Sequence, residues 1–117
     1  MLQLSTATQY YWYNGVADMR KGFDSLCGMV SQYMGANVLD GGVFIFVNRR
    51  RNQIKLLTWE GDDLAIYHKR LEKGGYELPH LCVGNTCAQV DALQLQLILQ
   101  GIVLQSVRKK RRFSLSF

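Results

Sequence analysis

The amino-acid sequence predicts a single α+β domain, in which an antiparallel sheet of about four strands packs against one main helix. Three observations support this fold class. The chain has 117 residues, 48% of them hydrophobic, which is enough for one compact core. Several short β-prone runs are separated by turn signals such as Asn14-Gly15. Residues 23–34 instead carry apolar side chains at helical spacing.

Four segments have the composition of strands. They are predicted at residues 9–13, 43–47, 54–59 and 64–70, with Lys69 and Arg70 extending past the end of the last one. Turn residues at 40–42 and 60–63 separate them. Because short turns join the last three strands, we expect those strands to be antiparallel neighbours. The hairpin formed by the second and third strands should protrude from the domain or lie at its edge.

The main helix is predicted at residues 20–34. Asp18 would cap its first turn and Gly35 would end it. Its apolar stripe consists of Phe23, Leu26, Cys27, Val30 and Met34. A second helix is predicted near the C-terminus, with Val90, Leu93 and Leu97 on its apolar face and Gly101 as its C-cap.

The positive charge of the chain is concentrated at its C-terminus. The net charge is +5, and the run 108–112 holds five of the fourteen Lys and Arg residues. The rest of the chain therefore has nine basic against nine acidic residues. We divide the chain into a domain at 1–107 and a basic tail at 108–117. Such runs bind nucleic acid or acidic protein surfaces, and the alternative is a solubilising terminus.

A second basic feature lies between the second and third strands. The sequence Asn48-Arg49-Arg50-Arg51-Asn52 would form a hairpin tip, with Lys55 nearby. Arginines on a rigid tip suit phosphate recognition, and Arg or Asn can also contact base edges. The alternative is a solvated turn whose arginines pair with Glu60, Asp62 or Asp63. In that alternative the two asparagines only form the turn.

Two smaller clusters complete the candidate nucleic-acid interface. Arg20 and Lys21 lie at the predicted positive end of the main helix, and Lys69 and Arg70 follow the fourth strand. The candidate residues are Asn48, Arg49, Arg50, Arg51, Asn52, Lys55, Arg20, Lys21, Lys69, Arg70, Arg108, Lys109, Lys110, Arg111 and Arg112. DNA binding is favoured if the tip and the two smaller clusters share one face.

Other chemistry is weakly indicated. The carboxylates show no spacing that would make them converge on a two-metal nuclease site, so we predict no enzymatic activity. His68, His80, Cys82 and Cys87 match no zinc-binding pattern, and we predict no metal or cofactor. The three cysteines are an odd number, which favours free thiols in a reducing compartment. Without a long apolar run or a signal-peptide pattern, we expect a cytoplasmic protein and no membrane contact.

Residues 9–79 carry motifs typical of one family. They include Asp18-Met19-Arg20-Lys21, Asn48-Arg49-Arg50-Arg51-Asn52, Trp59-Glu60-Gly61-Asp62 and Tyr67-x-Lys69-Arg70-Leu71-Glu72. This combination closely resembles the TnpB-type accessory proteins encoded by the second open reading frame of insertion sequences of the IS-sixty-six type. Beyond Pro79, only the Leu-rich helix and the basic terminus are similar. The resemblance implies a bacterial protein needed for transposition, acting beside a DDE-type transposase and a second small accessory protein. It supplies no catalytic residues.

We therefore expect a non-enzymatic accessory factor that binds the DNA ends of an insertion sequence through its basic hairpin and tail. The alternative is a protein-interaction module that organises the transposase without contacting DNA. Its interface would then be the aromatic segment 10–13 together with the Gln- and Leu-rich second helix.

Overall fold

A computed structural model describes residues 4–77 and 87–100, together with the backbone of residues 102–103 and 108–109. The five strands of the main sheet are β1 (Tyr10–Tyr13), β2 (Val43–Val47), β3 (Gln53–Trp59), β4 (Leu64–Arg70) and β5 (Cys87–Val90). The helices are α1 (Phe23–Tyr33) and α2 (Ala92–Leu99), and a 3-10 turn covers Val38–Asp40. The short strands β6 (Ile102–Val103) and β7 (Arg108–Lys109) pair with each other.

The sheet is mixed, with the strand order β4-β3-β2-β1-β5. The predicted antiparallel meander β2-β3-β4 is confirmed, but β1 pairs with β2 in parallel. The connection that contains α1 returns the chain to the end of the sheet where β1 began, so β2 runs in the same direction as β1. Strand β5, which the sequence did not indicate, pairs antiparallel with β1. The prediction of a purely antiparallel, four-stranded sheet was therefore wrong.

Each face of the sheet buries one helix. On one face, Leu26 and Val30 of α1 pack in a cluster with Phe44 and Phe46 of β2. On the other face, the core around α2 is formed by Leu95, Ile98, Trp12, Ile45 and Ile54, all at most 1% exposed. Every residue of β2 is buried because helices cover both of its sides. Each fully buried side chain of this size stabilises the fold by roughly 1.5–3 kcal/mol relative to an exposed one.

Helix α1 begins later than predicted. Its N-cap is Gly22, which offers no side-chain bond, so the proposed cap by Asp18 was wrong. The Asp18 carboxylate instead accepts a hydrogen bond from the Arg20 backbone N–H, at 2.9 Å, in a turn that precedes the helix. Gly35 adopts a φ of 62°, the left-handed conformation that commonly ends helices, and this part of the prediction is confirmed.

The orientation of α2 also differs from the prediction. Ala92, Leu95 and Ile98 are buried, whereas Leu93 is 65% exposed. Val90, predicted to lie on the helix, is the last residue of β5. The sequence of α2 is apolar around most of its circumference, so spacing alone does not determine which side packs on the sheet. The predicted C-cap, Gly101, lies outside the described residues.

The aromatic half of the alternative interface named above is largely internal, whereas α2 exposes Leu93 and Gln96. Tyr10 and Trp12 are each only 1% exposed, and β1 lies between β2 and β5. Tyr11 stacks on Phe44 with ring centroids 5.2 Å apart. The aromatic strand therefore serves mainly as core rather than as an exposed contact surface.

Candidate nucleic-acid interface

The tip of the β2–β3 hairpin is held in shape by its two asparagines. The side-chain oxygen of Asn48 accepts hydrogen bonds from the backbone N–H groups of Asn52 and Gln53, both at 3.0 Å. Its amide nitrogen donates to the Asn52 side-chain oxygen at 2.8 Å. Both side-chain polar atoms of Asn48 and the side-chain oxygen of Asn52 are thus engaged in the turn, as in the turn-forming alternative. Between them, the side chains of Arg49, Arg50 and Arg51 are exposed.

The chain that follows β4 braces the tip from one side. The carbonyl oxygen of Arg51 accepts a hydrogen bond from the backbone N–H of Tyr76 at 2.6 Å, and that of Asn52 accepts one from Leu71 at 2.7 Å. The Tyr76 side chain is buried in the core beneath α2. The hairpin is formed by a central strand and its neighbour. The predicted position at an edge was therefore wrong, and the arginines are supported by segment 71–76 at the end of the sheet.

The loop between β1 and α1 lies on the other side of the tip. The Ala17 N–H donates to the Val47 carbonyl at 2.9 Å, which fixes this loop against the last residue of β2. The buried Lys55 ammonium donates to the Met19 carbonyl at 2.7 Å and to the Lys21 carbonyl at 2.9 Å. Lys55 is therefore not a solvent-facing cation, in contrast to its predicted role. It positions Lys21 beside the arginine tip.

The loop and the tip enclose an open groove of about 700 Å³. Its cationic side chains are Lys21, Arg49 and Arg50, and Asp18 and Gln53 also line it. A second groove of about 320 Å³ lies on the β1 side and is lined in part by Tyr13, Arg49 and Arg51. Arg49 and the half-exposed Val16 border both grooves. The structure thus gathers Lys21 and all three tip arginines around two adjoining depressions.

Arg20 differs from the tip arginines because it has a carboxylate partner. Its guanidinium lies 2.7 Å from the Asp18 carboxylate, and both side chains are exposed. Hydrogen bonding by Arg20 lowers the pKa of Asp18 to about 2. The other ion pair among the described residues joins Arg70 and Glu72 at 3.9 Å. Neither pair includes an arginine of the tip.

The alternative in which the tip arginines pair with Glu60, Asp62 or Asp63 is wrong. These carboxylates belong to the turn after β3, whereas the tip precedes β3. A strand of this length separates its two ends by about 20 Å, because each residue rises about 3.3 Å. Glu60 instead accepts a hydrogen bond from the Tyr67 hydroxyl at 2.6 Å.

Strand β4 brings two more cations to the same end of the sheet. Lys69 is opposite Ile54 and Arg70 is opposite Gln53, so both lie within β4 rather than past its end. Directly opposed residues share a face of the sheet. Arg70 therefore lies on the α1 face with Gln53, while Lys69 lies on the α2 face. Of this cluster, only Arg70 shares the face of Gln53, which lines the groove beside Lys21.

Basic and acidic residues are concentrated at opposite ends of the sheet, as seen along the strand direction. We call one end of the sheet the basic end, because it holds all nine Lys and Arg residues that precede the run 108–112. They are Arg20, Lys21, Arg49, Arg50, Arg51, Lys55, Lys69, Arg70 and Lys73. The opposite end, which we call the acidic end, holds five of the nine carboxylates. They are Asp40, Glu60, Asp62, Asp63 and Asp91.

The basic C-terminal run is only partly described. The backbone of Arg108 and Lys109 forms β7. Lys110, Arg111 and Arg112 lie outside the described residues, as do His80 and Cys82. Cys27 and Cys87 are free thiols. Within the part of the chain that the structure describes, no three His, Cys, Asp or Glu side chains are grouped to hold a metal ion. No helix there is long and apolar enough to cross a bilayer.

Two parts of this site were missed by the sequence interpretation. Segment 71–76 braces the tip, and residues around Val16 form the wall between the grooves. Neither segment has a distinctive composition, and only the backbone bonds to Arg51 and Val47 reveal their role. Chemically, the basic end offers clustered guanidinium groups, which donate paired hydrogen bonds to phosphate or carboxylate oxygens.

The fold and the basic end together define a small α+β domain with a cluster of exposed cations at one end of its sheet. Comparison with known proteins gives the family. The model of a family described as "IS66 Orf2 like protein" matches residues 8–109. The chain is similar to the uncharacterized protein y4hO of Sinorhizobium fredii, at 34% identity over 88 residues, which cover 75% of each chain. It is also similar to the uncharacterized protein y4jC of the same organism, at 24% identity over 109 residues, covering 93% of this chain and 86% of the relative. No solved structure matches significantly.

The protein belongs to the IS66 Orf2-like family. This confirms the resemblance seen in the motifs of the sequence. Membership implies an accessory role in the transposition of an insertion sequence and an association with its transposase system.

Proposed function

We propose that this protein is a non-enzymatic accessory factor that binds the DNA of its insertion sequence through the basic end of the sheet and the C-terminal basic run. Its other partners would be a DDE-type transposase and a second small accessory protein of the same element. Bound DNA would lie across the grooves on either side of Arg49, and the contacts would go mainly to phosphate oxygens.

The observation that carries this proposal is the unpaired state of the tip. Arg49, Arg50 and Arg51 are exposed, and neither ion pair of the described residues contains them. Lys21 joins Arg49 and Arg50 on one groove. Because Asn48 and the segment 71–76 fix the backbone of the tip, little conformational freedom would be lost when DNA binds.

The decisive experiment measures affinity for duplex DNA of the element ends across a series of salt concentrations. Neutralising phosphates releases counterions, so the logarithm of the binding constant should fall steeply with the logarithm of salt concentration. Replacing Arg49, Arg50 and Arg51 together by Ala should lower the steepness of that plot by about 2–3 if each arginine contacts one phosphate. Affinity at low salt should fall at least about tenfold.

A matched control separates this local effect from a change in net charge. Replacing the exposed Gln32, Gln96 and Gln100 by Glu lowers the net charge by the same amount, and none of these residues lines either groove. This variant should lose much less affinity than the arginine variant. A salt-independent affinity, or equal losses in the two variants, would contradict binding at the tip.

Co-purification with the transposase, combined with the affinity measurement, distinguishes DNA binding from a purely protein-organising role. Co-purification of the transposase that survives nuclease treatment, together with no measurable DNA affinity at low salt, would assign the basic end to an acidic protein surface. Loss of co-purification after nuclease treatment would support the proposal.

A further inference from the structure

Strand β4 is an edge strand whose outer side has no partner among the described residues. Its first four residues, from Leu64 to Tyr67, are only half-buried, whereas the central five residues of its neighbour β3 are fully buried. Exposed strand edges of this kind pair readily with another strand.

The flanking hydrogen bonds show which backbone groups of β4 face outward. Leu71 donates to Asn52, and the Asp63 carbonyl accepts from Glu60, so these residues bond toward the β3 side. Hydrogen-bonded positions alternate along an antiparallel pair. The odd-numbered residues of β4 therefore bond to β3. The even-numbered residues, including Ile66 and His68, direct their N–H and C=O groups to the open edge.

Strand β4 has acidic residues at one end and basic residues at the other, like the sheet as a whole. Asp62 and Asp63 lie at its acidic end, Lys69 and Arg70 lie at its basic end, and the residues between them are mainly apolar. A strand with this pattern is complementary to an antiparallel copy of itself, because each acidic end then meets a basic end.

We propose that two copies of this chain pair through their β4 strands, antiparallel and related by a two-fold axis at Ile66. In this register Asp63 is opposite Lys69 of the second copy, and Ala65 is opposite its Tyr67. The outward N–H and C=O groups of Ile66 bond to their own equivalents, and the two sheets become one.

Neighbouring registers fit less well. In an antiparallel pair, directly opposed residues have their side chains on the same face of the joined sheet. The two-fold axis must therefore pass at a residue of β4 and not midway between two residues. An axis at Tyr67 would place Asp63 opposite Leu71 and Lys69 opposite Ala65 of the second copy, so neither charge would gain a partner of opposite sign. An axis at Ala65 would leave Lys69 opposite Gly61. Only the axis at Ile66 pairs Asp63 with a cation.

The interface is small, and its size sets the expected affinity. The pairing of two seven-residue edge strands buries less than roughly 1,200 Å² of total surface, and interfaces of that size belong to weak, transient complexes. We therefore expect a concentration-dependent monomer–dimer equilibrium with a micromolar dissociation constant, without any requirement for DNA.

Charge reversal tests the register directly. Sedimentation velocity of the full chain, without DNA and up to about 200 µM, measures the dimer dissociation constant in the range expected for weak association. Asp63→Lys and Lys69→Asp should each weaken dimerisation at least about tenfold, because each places like charges opposite one another twice. The double variant should restore it. Within one chain the two positions are about 20 Å apart, beyond the screening length at physiological salt, so this rescue requires contact between copies.

A backbone substitution provides the second test. His68→Pro removes an N–H group that faces the open edge, while His68→Ala removes the same side chain and keeps that group. Circular dichroism would verify that both variants fold. The proline variant should remain monomeric and the alanine variant should dimerise. A monomeric native protein at the highest concentration, a dimer insensitive to His68→Pro, or a double charge variant without rescue would each overturn the proposal. Because no DNA is present, these outcomes are independent of the proposed DNA binding.

Discussion

The two ends of the sheet use similar local devices for different purposes. At the acidic end, the turn between β3 and β4 has Gly61 at a φ of 97°, and Gly41 and Gly42 occupy left-handed conformations before β2. At the basic end, the left-handed position of the hairpin is occupied by Arg51, with a φ of 61°. Glycine is the residue with the least strain in this conformation. The basic end therefore retains a cation where the acidic end retains the residue that suits the turn.

This difference places a cation at a backbone position where glycine would fit with less strain. A non-glycine residue in the left-handed region costs roughly 1 kcal/mol. The turn tolerates that cost because Asn48 and segment 71–76 fix its backbone through hydrogen bonds. Substitutions at the two ends would show how each one maintains its structure, and the largest effect is expected at Lys55.

Replacing Lys55 by Met should cause the largest loss of stability. The Lys55 ammonium is buried and bonds to the carbonyls of Met19 and Lys21, which would lose their partner. We expect the free energy of unfolding in urea to fall by about 1.5–3 kcal/mol, the range for hydrogen bonds to a charged group. The exposed Lys69→Met is the matched control and should change it by less than about 0.5 kcal/mol. Equal effects would show that the loop beside the tip does not depend on Lys55.

Replacing Asn48 by Ala should lower the free energy of unfolding more than replacing Asn37 by Ala at the opposite end of the sheet. Asn48→Ala leaves the N–H groups of Asn52 and Gln53 without their acceptor, and we expect a loss of about 1–2 kcal/mol. Asn37→Ala should lower the free energy of unfolding by about half as much, because the Asn37 side chain accepts only one bond, from Leu39 in the 3-10 turn. Urea unfolding of both variants measures the difference. The reverse order would show that the acidic end has the more tightly constrained turn.

Arg51→Gly separates strain from charge at the tip. Glycine relieves the left-handed backbone but increases the freedom of the unfolded chain, so we expect a stabilisation of up to about 1 kcal/mol. DNA affinity should nevertheless fall, since one cation of the tip is lost. A thermal melt and a binding titration on the same sample make the comparison. A clear destabilisation would mean that the Arg51 side chain itself supports the turn.

The smallest effect on stability is expected at Asp18, the carboxylate at the basic end that pairs with Arg20. Arg20→Ala should raise the pKa of Asp18 from about 2 part of the way toward its ordinary value, because the hydrogen bonds from the guanidinium are removed while the bond from the backbone N–H of residue 20 remains. The low pKa makes the folded state more stable above the unfolded-state pKa, and this contribution is lost as pH falls toward 2. Carboxyl carbon shifts in an NMR titration would measure it. An unchanged pKa would assign the shift to the backbone N–H of residue 20 instead.

Local patterns predicted the elements of the fold better than their arrangement. The β2-β3-β4 meander was predictable because apolar runs alternate with turn residues at short spacing. The parallel pairing of β1 with β2 was not, since it depends on where α1 carries the chain. Strand β5 has only four residues, Cys87–Val90, and its partner β1 is far away in the sequence. Short strands with distant partners leave little local signal.

The candidate site was predictable in composition but not in geometry. The exposed tip arginines could be recognised from the sequence alone. The buried position of Lys55 could not, because its partners Met19 and Lys21 come from a loop more than thirty residues earlier. Similarly, the sequence predicted that the body of the chain is neutral, whereas only the strand register revealed that its charges are separated.

That separation has a kinetic consequence. A neutral body whose cations all lie at one end of its strands, and five of whose nine carboxylates lie at the other, has a permanent dipole moment along the strand direction. Near any negatively charged surface, such a molecule experiences a torque that turns its basic end forward before contact is made. A larger fraction of collisions then begins in the productive orientation, which raises the association rate at low ionic strength. Carboxylates at the distant acidic end contribute to this alignment without touching the surface that is approached.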